Sequence, residues 1–147
     1  MRWLDPGEQA VWRAFLDSTH LVHAAVDAQL QRDAGLSHAD YEVLVRLSEA
    51  PQGSMRMSEL ADRARFSRSR LSHAVSRLER AGWVRREGSP DDRRGTVAQL
   101  TAAGRATLDA AAPGHVAAVR EVLFDALTPD QVQQLGEIAA AVHDRRR

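Results

Sequence analysis

Between Ser58 and Gly104 the chain changes rhythm repeatedly over a short distance. Ser58 opens a brief helical pattern carrying Leu60, Ala61 and Ala64. Phe66-Ser67 interrupts it, and Ser67 is placed to cap a second pattern in which Leu71, Val75 and Leu78 recur at helical spacing up to about Ala81. Gly82 stops that helix. Trp83 to Glu87 then reads as a strand, Gly88 to Gly95 as a loop and Thr96 to Leu100 as the returning strand. None of these pieces is long enough to be stable alone. They must share one core, and few arrangements allow it.

The arrangement that fits is a winged helix-turn-helix, a mainly α fold with a small β wing. On a wheel of about 100° per residue, Leu71, Val75 and Leu78 fall together and face the core. Ser69, His73, Ser76, Arg77 and Arg80 fall opposite, with Arg68 and Arg70 projecting from the first turn. In such folds the N-terminal part of the second helix reaches base edges in the major groove, where Arg bridges both acceptors of guanine. Arg68, Ser69, Arg70 and His73 are therefore the expected base contacts. Ser72, Ser76 and Arg77 are the expected phosphate contacts.

Charge distribution agrees, although net charge is zero. Arg56 to Arg94 holds eleven arginines against six carboxylates, a net +5, leaving nine basic and fourteen acidic residues, or −5, elsewhere. A local basic patch is what counterion release from a duplex needs. There is no cysteine, which excludes disulfides, thiolate metal sites and thiol redox sensing. No apolar run reaches the length of a membrane span, and the first residues have no signal-peptide core. The expectation is a cytoplasmic protein with no membrane partner and no cofactor.

Three capping patterns mark the remaining helices. Asp5-Pro6-Gly7-Glu8 opens one that reaches about Arg32; Ser37-His38-Ala39-Asp40 opens a second that ends before Pro51; Thr128-Pro129-Asp130-Gln131 opens the last. Thr101 caps a long Ala-rich helix that Pro113-Gly114 is expected to kink or break. The expected division is residues 1–36 as an N-terminal dimerisation helix, 37–100 as the winged helix-turn-helix domain and 101–147 as C-terminal dimerisation helices.

The stretch resembles the MarR family of bacterial winged-helix regulators. That family's wing runs Asp, any residue, Arg, then a strand ending Leu-Thr with Gly three residues later. Asp92-Arg93-Arg94, Leu100-Thr101 and Gly104 stand at that spacing, and Leu78 to Val84 is similar to the family's recognition-helix exit. Helices over Pro6–Arg32, Ser37–Ala50 and Thr101–Asp144 follow the family's order, so the likeness covers nearly the whole chain. It implies that Arg94 enters the minor groove, with Asp92 ordering the loop.

The terminal helices carry apolar stripes that a winged helix does not need: Trp12, Phe15, Val22 and Val26; Val119, Val122 and Leu123; Val132, Leu135, Ile138 and Val142. Two-fold pairing would set two recognition helices roughly 34 Å apart and demand an inverted-repeat operator. The resemblance implies the same homodimer, acting as a repressor of transcription and released by a small lipophilic or aromatic effector. Trp12, Phe15, His20, His23 and Tyr41 are the candidate lining of an effector pocket, with Arg46 to meet an acid. His20 and His23 are too few ligands for a tight metal site. Two other classes compete. A winged helix that binds protein would show no steep salt dependence. A small hydrolase could use Ser69 with His73, but the chain lacks a nucleophile elbow and a Gly-rich phosphate loop.

Overall fold

The structure is a computed structural model and describes residues 1–88 and 95–145. Its elements run α1 (Pro6–Ala34), α2 (His38–Glu49), β1 (Ser54–Arg56), α3 (Met57–Ala64), α4 (Arg68–Arg80), β2 (Val84–Gly88), β3 (Thr96–Leu100), α5 (Ala102–Val122) and α6 (Pro129–Asp144). The chain forms two compact units, Asp27–Gly114 and Met1–Val26 with His115–Arg147.

The Asp27–Gly114 unit is the winged helix-turn-helix. Leu30, Leu36, Val43, Leu44, Leu47, Leu60, Leu71, Val75 and Leu78 are sealed from solvent. Burial of each large aliphatic side chain contributes about 1.5–3 kcal/mol. The sheet is antiparallel in the order β1-β3-β2. Val84 pairs with Leu100 and Gly88 with Thr96 across the wing; Met55 pairs with Ala98 on the other edge. Strand β1 is an addition to the sequence reading, since three residues are too few to display alternation.

Local chemistry sets the ends of these elements. The Ser37 side chain accepts from the Asp40 amide and the Ser67 side chain from the Arg70 amide, as expected of caps. Helix α3 departs from expectation: it begins at Met57 after Arg56, with no side-chain cap, so Ser58 is inside it. Arg65 closes α3 in the left-handed region, at φ 55°, where glycine is the usual residue. Gly82 ends α4 at φ +78°, and the Trp83 amide reaches back to the Leu78 carbonyl.

The Leu-Thr-x-x-Gly pattern has a structural reason. Thr101 Oγ1 donates to the Gly82 carbonyl at 2.7 Å and accepts the Gly104 amide at 3.0 Å, capping α5 while tying it to the exit of α4. A β-carbon at Gly104 would overlap the Trp83 carbonyl oxygen. Only glycine allows that approach.

The other unit comprises the first part of α1, the second part of α5, a short 3-10 turn over Phe124–Ala126 and α6. Asp5 and Glu8 form the expected reciprocal cap, with the Glu8 amide donating to Asp5 at 2.8 Å and the Asp5 amide to Glu8 at 2.9 Å. Thr128 and Gln131 repeat it on α6, with Pro129 in the first turn. Of the kink or break expected at Pro113-Gly114, the break does not occur: α5 continues to Val122. Proline removes one amide donor there, and the flanking turns keep the helix running. Among the described residues, no helix is long and apolar enough to cross a membrane.

Candidate nucleic-acid interface

Helix α4 divides cleanly. Leu71, Ala74, Val75 and Leu78 are buried. Arg68, Ser69, Arg70 and His73 are all exposed, on the face and in the first turns where base contacts are expected. The Ser67 cap and the preceding turn fix where that face starts. Arg70 does not extend freely: its guanidinium carbon lies 4.2 Å from the centroid of the Phe66 ring. An exposed cation–π contact of this kind is worth about 0.5–1 kcal/mol and narrows the directions in which the side chain points. Phe66 at the turn therefore orients Arg70, a role not visible in its apolarity.

Ser72 and Ser76 are half-buried and engaged by an arginine that was not singled out from sequence. Arg86 Nη2, on β2, donates to the Ser72 carbonyl at 3.0 Å and to the Ser76 hydroxyl. Its Nε stands 3.1 Å from Glu79 Oε2, and its amide donates to Glu79 Oε1 at 3.0 Å. Arg86 thus binds the wing strand to the recognition helix. Arg77, the third expected phosphate contact, has a protein partner: Nη2 lies 2.7 Å from Asp40 Oδ1 and Nε 3.3 Å from Oδ2. The hydrogen bond to Asp40 raises the Arg77 pKa above its ordinary value.

An open groove of about 490 Å³ lies beside the recognition helix, with Arg56, Ser58, Arg68, Ser72, Arg86 and Thr96 in its lining. Three guanidinium groups along one groove suit a polyanionic backbone. Arg94 and Asp92, the expected minor-groove pair, lie outside the described residues.

The candidate effector residues fall in different units. Trp12 and Phe15 are exposed on α1, with ring centroids 6.2 Å apart and planes 26° from parallel. His20 and His23 share their unit and are exposed. Tyr41 and Arg46 belong to the winged unit. Tyr41 is buried, which pushes its phenol above the ordinary value, and Arg46 pairs with Glu42 at 3.3 Å. Among the described residues, no group of three or more His, Asp or Glu side chains is placed to hold a metal.

A short capped helix set over two others and backed by a hairpin defines a winged helix-turn-helix protein. Comparison with known proteins narrows the class. The sequence model of the MarR family matches residues 34–95. The structure of Sco3205, a MarR family transcriptional regulator from Streptomyces coelicolor solved in complex with DNA, is similar with a TM-score of 0.94 and 52% identity, covering 98% of this chain and 90% of that one. AbsC, a MarR family regulator from the same organism, gives 0.90 and 42% over the full length of both chains. The transcriptional repressor YetL of Bacillus subtilis is 30% identical over 107 residues, 71% of this chain; the chain spans 64% of YetL, under two thirds of its length. The chain belongs to the MarR family. These relatives are transcriptional regulators rather than enzymes, which sets aside the hydrolytic reading of Ser69 and His73.

Proposed function

We propose that the protein is a homodimeric regulator that binds double-stranded DNA at an inverted-repeat operator and represses transcription. The carrying observation is α4: one face is sealed into the core while Arg68, Ser69, Arg70 and His73 stand in solvent at its capped N-terminal end. The helix enters the major groove. By the family's wing pattern, Arg94 enters the adjacent minor groove, where negative potential favours arginine, and Asp92 orders its loop. The DNA-bound Sco3205 structure supports the partner, and YetL supports repression.

Pairing of two copies rests on the terminal-helix unit. Trp3, Val11, Trp12, Phe15, Leu21, Ile138 and Val142 are all at least half exposed, more apolar surface than one chain can use. Release by a small lipophilic or aromatic effector belongs to the same reading, supported by the exposed Trp12 and Phe15 rings.

The experiment is in vitro selection of duplexes on the purified protein, followed by anisotropy across a salt series. The expected result is an enriched inverted repeat and a steep loss of affinity, roughly 0.9 log units per phosphate neutralised for each decade of salt. Binding without sequence enrichment or without salt dependence would favour a protein-binding winged helix. A panel of aromatic acids added to the complex reads the effector: dissociation by one of them is expected, and an unmoved complex across the panel refutes that part.

A further inference from the structure

Asp40 is a carboxylate that α2 buries, with 7% of its surface exposed, and both of its oxygens are spent on one side chain. Arg77 comes from 37 residues further along the chain and from the recognition helix itself. A two-pronged guanidinium–carboxylate pair constrains direction as well as distance, because the planar fork matches the carboxylate on one edge. The carboxylate end is itself fixed. The Asp40 amide donates to Ser37 Oγ at 3.1 Å, and the His38 amide donates to Asp27 Oδ1 at 2.8 Å, so the first turn of α2 is held to the end of α1. Leucine and valine contacts beneath α4 are non-directional and would tolerate a small slide or roll. The ion pair does not.

We infer that Asp40 and Arg77 are a positioning pair, which sets the height and rotation of α4 so that Arg68, Ser69, Arg70 and His73 meet the base edges together. This rests on the DNA-binding reading. Arg77 acts through Asp40 and not on a phosphate: leaving for the duplex would strand a buried carboxylate, an outcome with a large penalty.

The test uses the full chain with Asp40→Asn, Arg77→Gln, the double variant and Arg77→Lys, on a duplex selected by the wild-type protein. Each single substitution is expected to weaken binding by about tenfold, the double by no more than either single, since coupled partners do not add. The salt slope should stay at the wild-type value. Lysine keeps the charge but cannot make the two-pronged pair, so Arg77→Lys should lose affinity like Asp40→Asn. A phosphate contact predicts the reverse: Asp40→Asn binds as well as wild type or better, Arg77→Lys is near normal, and Arg77→Gln flattens the salt slope by about 1.8, roughly 0.9 for each of the two subunits. That pattern would overturn the proposal.

Hydrogen exchange of the α4 amides in the absence of DNA gives a second readout. Faster exchange over α4 in Asp40→Asn and Arg77→Lys, with an unchanged core in α2, is expected; unaltered α4 protection in both overturns the pair's role. Should the wild type select no duplex, the DNA-binding reading fails, and exchange alone decides whether the pair fixes the helix. Arg77→Lys serves if Asp40→Asn does not fold.

Discussion

The two units of this chain handle apolar side chains in opposite ways. In Asp27–Gly114, Val43, Leu44 and Leu47 of α2, Leu60 of α3 and Leu71, Val75 and Leu78 of α4 are sealed, and Ser37 and Ser67 cap α2 and α4. In the unit built from the chain's two ends, Val26 is buried while Trp3, Val11, Leu21, Ile138 and Val142 stand out in solvent. One unit is complete as it is. The other carries the signature of a surface that another chain must cover. On the proposed function the difference separates reading from pairing: the winged unit presents the DNA-reading face, and the terminal helices present the apolar surface that a second copy would cover.

The comparison breaks most sharply under a buried charge. Leu71→Asp, which puts a carboxylate where 1% of the leucine is exposed, is expected to destabilise the winged unit by about 4 kcal/mol or more, read by chemical denaturation. The terminal helices should still pair, measured by sedimentation; loss of both would mean the units are not separate in folding. The converse pair, Ile138→Glu with Val142→Glu, should leave the winged unit's denaturation midpoint in place and turn a dimer into a monomer. Persistence of the dimer would show that these residues are not at its interface.

Smaller effects sharpen the winged unit itself. Arg70→Ala should cost about 1–3 kcal/mol of discrimination at a single base pair if it bridges a guanine. Equal losses on all duplexes would make it a phosphate contact. Ser67→Ala removes the cap of α4 and should cost about 1 kcal/mol of stability, seen as a lower thermal midpoint. Arg65→Gly removes a side chain from a left-handed position and should change stability by less than about 1 kcal/mol, in the stabilising direction. A clear loss would show that the Arg65 side chain holds the turn.

Much of this architecture was legible because it depends on near neighbours. The alternation of Leu71, Val75 and Leu78 with polar positions located α4 and its buried face, and Ser67, Thr101 and Thr128 announced their caps. Strand β3 came out at Thr96–Leu100 because a Gly and a Thr bracket it. What sequence could not give is contact at a distance. Nothing in the spacing joins Asp40 to Arg77 or Arg86 to Ser76, so Arg77 reads as a phosphate contact from its place on the helix wheel, and Arg86 only counts toward the basic patch. Strand β1 was invisible because three residues show no period, and the left-handed turn at Arg65 because arginine is not the residue that marks such turns. Proline at 113 misled in the other direction, since α5 continues through a residue that usually interrupts a helix. Arg94 and Asp92 rest on the family's wing pattern alone.

The grip of Arg86 on Ser72, Ser76 and Glu79 has a consequence for how a duplex is judged. Strand and helix are fastened near their midpoints, so the reach from hairpin root to helix tip is set by contacts within the protein. If helix and wing enter neighbouring grooves as proposed, a duplex whose grooves are spaced otherwise has to bend or twist to be read by both, and the energy of that distortion becomes part of its selection. Stiffness in the reader thereby turns the mechanical compliance of DNA, beyond its lettering, into information.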